Sequence, residues 1–256
     1  MLNTGTKVEL DFVKFINYKK YSDLNSNLRS FIKFLFNNIE RENVLQCKRL
    51  NTKGKADIII KLKNSVKYVS IKSGSQNSVH TEKLETFIVF LKKLGVKEEI
   101  IKILLLYHFG DGTYDGTGKI RWSAEESKLK YSREIKKFSQ YINNHNNFKE
   151  IINRILFTGT NNKIVVDAIY YGDVSCGVWC KREELVKYFI KNKCYYISTP
   201  HFSSLTYQTW CRNINLNRKS EEHRYYVQIK WFSILSDIIK IRKQNDNIIA
   251  SVGEVK

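Results

Sequence analysis

The sequence predicts a mixed α/β or α+β fold. Two runs rich in β-branched residues, ADIIIKL (56–62) and KYVSIKS (67–73), read as strands. Amphipathic helical periodicity lies on both sides of them, and strand-like and helix-like segments keep alternating toward the C-terminus. Residues 7–17 and 22–40 open the chain as helices. In SDLNSNLRSFIKFLFNNIE the apolar residues Leu28, Phe31, Ile32, Leu35 and Phe36 recur three and four apart, with Ser22 and Asp23 as caps. VLQCKRL (44–50) predicts a strand before the two clear ones. TEKLETFIVFLKKLG (81–95) predicts a helix capped by Thr81 and stopped by Gly95, and 97–107 predicts another. FGDGTYDGTGK (109–119), with four glycines and two aspartates, predicts a loop. Residues 124–156 are expected to be helical, 162–171 a strand, 182–192 a helix and 194–200 a strand. Residues 224–232 are expected to form a strand that runs into a last helix ending near 244. There is one proline, Pro200, and no Ser/Gly linker, so no boundary stands out. Residues 1–110 are expected to form the core that carries the chemistry, and 111–256 a continuation of the same compact unit.

Charge is the strongest global signal. Forty-four Lys and Arg face 25 Asp and Glu, giving +19. A surface this basic repels itself unless it meets a polyanion, and nucleic acid is the commonest such partner; solvated helix faces are the plainer account. The most apolar run, IIKILLLYHF (100–109), contains Lys102 and His108 and falls short of the roughly 18 residues of a membrane span. MLNTGTKVEL has no apolar signal-peptide core. Five cysteines, an odd number, without a secretion signal imply reduced thiols and a cytoplasmic protein that engages no membrane.

Chemistry concentrates at Asp57, Ser70 and Lys72. Asp57 stands in GKADIIIKL, where an ionised carboxylate must be paired, hydrogen-bonded or bound to a cation. A two-residue turn centred on Asn64-Ser65 sets Asp57 opposite Lys72 on one face of a hairpin. A slip of one residue would send Lys72 to the other face. Such a pair is either a cross-strand salt bridge or part of a metal site. In the second case Asp57 binds Mg²⁺, while Lys72 orients or activates water and steadies charge on a phosphate. A hard cation normally takes a further carboxylate. Ser70 stands two residues before the lysine, and Glu82 and Glu85 follow in the expected helix, three apart on one face.

An Asp on one strand, Ser-x-Lys on the next and a Glu about a dozen residues on resembles the PD-(D/E)xK nuclease superfamily. More narrowly, it resembles type II restriction endonucleases whose second metal-binding carboxylate has moved to the following helix. The resemblance covers about residues 22–95. It implies a restriction-endonuclease-like mixed sheet flanked by helices, with a C-terminal α+β elaboration, and Mg²⁺-dependent hydrolysis of phosphodiesters in double-stranded DNA. It further implies 5′-phosphate and 3′-hydroxyl ends, a homodimer acting on a symmetric target, and a companion DNA methyltransferase acting on the same site. By the same resemblance Asp57 is the shared metal ligand, Lys72 the motif lysine, Ser70 the occupant of the vacated acidic position and Glu85 the migrated acid. Glu82 competes with Glu85 for that role, and Glu40 or Glu42 could supply an upstream acid. Ala56 stands where the family often has proline. Ser70 in place of an acid keeps a non-catalytic nucleic-acid-binding protein open as an alternative, as well as a repair or mobile-element nuclease on the same fold.

Other constellations compete less well. Gln228-x-Lys230 imitates the motif but has no aspartate in a strand shortly upstream. Asp167 lies in an apolar strand with no Ser-x-Lys at hairpin distance. Cys176, Cys180, Cys194 and Cys211 lack a zinc-knuckle spacing. NNHNN (143–147) has no partner histidines. Segment 191–231 interleaves aromatics with cations, and Gln208, Arg212, Asn213, Asn215, Asn217, Arg218, Lys219 and Lys230 are expected DNA contacts. His80, expected in the loop before Thr81, could touch a phosphate. The cations of 124–147, among them Lys128, Lys130, Arg133, Lys136 and Lys137, could follow the backbone or a dimer contact.

Overall fold

The computed structural model describes residues 4–51, 54–74, 77–160, 163–193 and 198–253, with side chains of the last helix described as far as Gln244. The elements in chain order are α1 (Thr4–Ile16), α2 (Ser26–Leu35), β1 (Leu45–Arg49), β2 (Ile58–Leu62), β3 (Ser65–Lys72), β4 (Ser78–Lys83), α3 (Leu84–Lys93) and α4 (Glu98–Phe109). They continue with α5 (Ala124–Lys130), α6 (Ser132–Asn143), α7 (Phe148–Asn153), β5 (Ala168–Gly172), β6 (Gly177–Lys181) and α8 (Arg182–Lys191). The last are β7 (His201–Phe202), β8 (Leu205–Thr209), β9 (Tyr226–Lys230) and α9 (Ile234–Gly253). The mixed α/β class is as the sequence predicts. Of the expected strand 194–200, residues 194–197 lie outside the described residues. No helix among the described residues is long and apolar enough to cross a membrane.

The chain divides into two interleaved units. One comprises Met1–Asn77, Leu156–Tyr188 and Ser233–Lys256; the other comprises Ser78–Ile155 and Phe189–Phe232. Each draws on both sides of residue 110.

The first unit is built on a five-stranded sheet of order β1-β2-β3-β5-β6. Its strands pair antiparallel except β3 and β5, which run parallel. Leu28, Phe31, Ile32 and Leu35 form the buried stripe of α2 and share one core with Ile58, Ile60, Leu62, Val69 and Ile71 of the hairpin. Each such side chain contributes about 1.5–3 kcal/mol by leaving water. The cap of α2 is Asn25, not the expected Ser22 or Asp23; its side chain accepts from the Leu28 amide at 2.8 Å. Residues Tyr21–Asp23 form a separate 3₁₀ turn. The helix stops at Leu35 instead of 40 because Phe36 turns extended and buries its own ring. Tyr170 centres the aromatic part of this core, edge-on to Phe12 and Phe31 and stacked on Trp179 at 5.6 Å. A Cβ at Gly177 would come within 2.2 Å of the Tyr170 ring, so the close approach of β6 to β5 requires glycine there.

The second unit holds a sheet of order β4-β9-β8-β7. Here the sequence expectation needs correction. Residues 81–83 belong to β4, paired with β9, and α3 begins only at Leu84. The cause is burial: His80 and Glu82 are polar in sequence yet face inward and bond to each other, so they act as the apolar positions of a strand. Phe87 and Phe138 both meet the Phe202 ring edge-on at 5.9 Å. His108 of α4 is wholly buried. Its Nε2 lies 2.6 Å from the Arg224 carbonyl, which only accepts, so Nε2 carries the proton. Nδ1 then accepts from the Tyr207 hydroxyl at 2.7 Å.

Burial pushes the His108 pKa down to about 3, against the opposing pull of the Arg224 carbonyl. The unfolded chain takes up this proton near the ordinary value of about 6.5, while the folded chain resists it. The stability His108 confers is therefore complete above about pH 6.5 and drains away as pH falls toward 3. Melting temperature should fall between pH 7 and 5, and His108→Gln should flatten that dependence while lowering stability throughout. Thermal melts at several pH values check this; parallel curves for the two proteins would refute it.

Candidate active site

The β2–β3 hairpin turns on Lys63 and Asn64, with Lys63 in the left-handed region at φ +51°. Leu62 faces Ser65 and Ile58 faces Val69. This register is two residues away from one centred on Asn64-Ser65. Strand side chains alternate with period two, so every residue keeps its face but changes its opposite number. One step beyond the last paired residues, Asp57 faces Ser70, and Lys72 lies diagonally across.

Asp57 Oδ2 gathers three donors. The Ser70 hydroxyl donates at 3.0 Å, the Ile71 amide at 2.6 Å and Lys72 Nζ at 3.3 Å. The carboxylate thus stands in for a backbone acceptor where the ladder ends, since Asp57's own amide still donates to Val69 O at 2.9 Å. Lys72 Nζ also donates to Ile71 O at 3.2 Å. Asp57 Oδ1 takes no hydrogen bond from the described residues. Ser70 is 1% exposed, whereas the Asp57 and Lys72 side chains are 22% and 25% exposed, so the acid and amine reach solvent and the hydroxyl does not. A partly exposed ion pair contributes only about 0–1 kcal/mol.

The donor set is oxygen only, without thiolate or imidazole. It fits Mg²⁺, which binds through one or two carboxylates and fills its remaining positions with water and substrate phosphate oxygens. No group of three or more His, Cys, Asp or Glu suited to holding a metal occurs among the described residues.

Glu82 and Glu85 belong to the second unit. Glu82 is committed there: Arg154 donates from Nε to Oε1 at 3.0 Å and from Nη2 to Oε2 at 2.6 Å, and His80 Nε2 lies 2.7 Å from Oε1. Burial pushes the Glu82 carboxyl up, but the bonds to His80 and Arg154 outweigh it, and the net displacement is downward. Arg154 also lies 4.4 Å from the Phe90 ring centre. His80 is therefore a buried strand residue, not the loop residue expected. Glu85 is exposed in the first turn of α3 and borders a groove of about 530 Å³ with Lys83, Ile88, Tyr114 and Tyr225. Its carboxylate has no ion-pair partner among the described residues.

Glu40 and Glu42 lie at the surface of the first unit, paired with Lys63 at 3.3 Å and Lys20 at 2.6 Å. Asp167 precedes β5 instead of lying inside it and binds the Tyr68 amide at 2.8 Å and Lys67 at 3.3 Å, a tie between β3 and β5. A cleft of about 790 Å³ at the hairpin turn is lined by Lys63, Lys67, Asp167 and Lys181 and includes neither Asp57 nor Lys72.

Among the expected DNA contacts, Arg212 and Asn213 are buried. Arg212 donates to Tyr107 O at 2.5 Å and lies over the Tyr107 ring. Asn213 bonds to Glu221 and to the Asn217 amide. Both side chains are buried and bonded inside the second unit, unlike the solvent-facing contacts expected. Asn215, Asn217, Arg218 and Lys219 are exposed, and Gln208 and Lys230 half-buried. Lys230 lies 5.8 Å from the Phe232 ring centre and pairs with no carboxylate among the described residues, so Gln228-x-Lys230 lacks the acid a second centre needs. Sequence reasoning passed over Arg154 and the Ile71 amide. Only the parity of β3 hinted at the amide, and nothing local marked Arg154.

No family model matches the chain, and a search of curated proteins finds no relative. Among solved structures, the fold is similar to that of the restriction endonuclease MspI in complex with its cognate DNA, at 12% sequence identity and a TM-score of 0.56. The similarity covers 86% of this chain and 87% of that one, and the chain has a restriction-endonuclease-like fold.

The two glutamates should separate in stability. Glu82→Ala leaves Arg154 without its buried partner and should cost about 3–5 kcal/mol. Glu85→Ala, at an exposed position, should change stability by less than about 0.5 kcal/mol. Urea denaturation of both variants checks this, and equal losses would contradict the assignment.

Proposed function

We propose that the chain is a Mg²⁺-dependent endonuclease that hydrolyses phosphodiester bonds of double-stranded DNA, acting in the PD-(D/E)xK manner as a type II restriction enzyme. The observation that carries this proposal is the division of labour within one carboxylate. Asp57 Oδ2 is fixed by Ser70, Ile71 and Lys72, while Oδ1 stays clear. The fold similarity to a restriction endonuclease bound to DNA and the net charge of +19 support the same substrate.

Asp57 Oδ1 is the atom that would hold the ion. When bound, Mg²⁺ supplies Lewis-acid polarisation of the phosphate and lowers the pKa of coordinated water. The chain's own residues supply the rest. Ser70 and the Ile71 amide fix the Asp57 rotamer, so the acid does not swing away when a phosphate approaches. Lys72 has three protons; Asp57 and Ile71 O take two, leaving one for a phosphate oxygen or the attacking water. Its charge opposes the negative charge that builds on the phosphate. Ser70 then serves as a positioning residue in the place of the motif's acid. Of the two helix acids implied by the resemblance, Glu85 has the uncommitted carboxylate. A symmetric target calls for a homodimer, one copy per strand, with a companion methyltransferase protecting the host's sites.

Asp57→Asn and Lys72→Ala should each slow nicking of supercoiled plasmid at least about 100-fold, the scale on which a transition-state charge partner acts. Retention of DNA in a mobility-shift assay should persist. Glu85→Ala should lose cleavage without loss of melting temperature, and EDTA should abolish the wild-type reaction. Full cutting by either the Asp57 or the Lys72 variant would end the assignment.

A further inference from the structure

The loop after β8 inverts the usual distribution of polarity. In CRNINLNRKS (211–220), Arg212 and Asn213 are buried, while Ile214 and Leu216 are 49% and 65% exposed. A lone exposed apolar residue is ordinary; two buried polar residues followed closely by two exposed branched apolar ones are informative.

The buried groups build a fixed base for the loop. Asn213 donates to Glu221, its Oδ1 accepts from the Asn217 amide at 2.8 Å, and its carbonyl accepts from Arg121 at 3.0 Å. Glu221 is clamped in turn by Arg121 at 2.8 Å and Arg224 at 3.1 Å. The Asn217 side chain accepts from the Lys219 amide at 3.0 Å. On this base Leu216 is held at φ +51°, in the left-handed region that residues with a Cβ seldom enter. The Leu216 amide donates to Asn213 O at 3.0 Å, so the turn holds the backbone there while the side chain is left in water.

The chemistry of the surroundings selects an occupant. Arg218 and Lys219 are exposed directly after the tip. These cations complement a polyanion. A duplex is one: a stack of apolar base faces rimmed by phosphates.

Resting on the reading that the chain binds double-stranded DNA, we propose that the 214–216 tip is a wedge. Leu216, together with Ile214, enters between adjacent base pairs and unstacks them, while Arg218 and Lys219 hold the flanking phosphates. Apolar wedges of this kind kink and unwind the duplex they enter.

Unwinding is measurable without knowing the recognition sequence. The full chain is bound to closed circular plasmid in EDTA, the plasmid is relaxed by a metal-independent type I topoisomerase, and linking number is read after removal of protein. The wild type should lower the linking number in proportion to the amount bound. Ile214→Ala combined with Leu216→Ala should lose most of that shift yet keep the salt dependence of binding, because the phosphate contacts remain. Leu216→Gly should also lose the shift with no loss of melting temperature, since glycine accepts the left-handed backbone. A wild type that binds the plasmid without changing its linking number, or variants that change it equally, would overturn the wedge and leave the nuclease reading standing. Loss of a wild-type dimer in the variants, seen by sedimentation, would assign the tip to a second copy and overturn the wedge. Failure of the wild type to bind plasmid, in EDTA or with Ca²⁺, would overturn the wedge and the DNA reading together.

Discussion

Three hydrogen bonds to one oxygen organise the candidate site of the first unit. Asp57 sits where the β2–β3 ladder ends, and its Oδ2 accepts from a hydroxyl, a backbone amide and an ammonium group. The amide is the firmest of the three, because it belongs to a strand whose other face is core. Ile71 packs inward, so its neighbours Ser70 and Lys72 must point the other way. Burial of Val69 and Ile71 thus answers for the orientation of Ser70 and Lys72. A single packing requirement places the acid, its positioning hydroxyl and the amine on one surface.

That dependence explains how much of the site could be read from residues alone. Placing the turn on Asn64-Ser65 instead of Lys63-Asn64 mistakes the opposite partner of every residue, yet the error is two residues and parity survives it. Asp57 and Lys72 still share a face, and the lysine stem spans the diagonal. Sequence reasoning therefore recovers the face, which hydrophobic alternation specifies, and misses the partner, which turn geometry specifies. The helix α2 repeats the lesson. Its buried stripe is plain from spacing, while its cap lies at Asn25 and not at Ser22 or Asp23, a choice made by local backbone conformation.

What stayed hidden has a common cause. β4 reads as the start of a helix because His80 and Glu82 count as polar in any pattern. They are buried because Arg154, 72 residues from Glu82, meets the carboxylate in the fold. Asp111 and Arg224 are 113 residues apart, and their paired side chains are wholly buried together. Periodicity detects residues that avoid water on their own account. It is blind to charged residues that avoid water only as a pair, and the second unit is built on several such pairs.

Asp57 and Glu82, two candidate acids of the sequence reading, differ in how the structure uses their oxygens. Both meet cations at hydrogen-bonding distance, so proximity to a charge does not distinguish them. Glu82 uses both oxygens and is 2% exposed; any further ligand would have to displace Arg154 or His80 from a site where an unpaired charge is costly. Asp57 concentrates its donors on one oxygen, keeps the other clear and remains 22% exposed. Its environment fixes the side chain without saturating it. Rigidity alone gives a structural ion pair and openness alone gives a mobile surface acid; Asp57 combines the two, as the proposed metal ligand would have to.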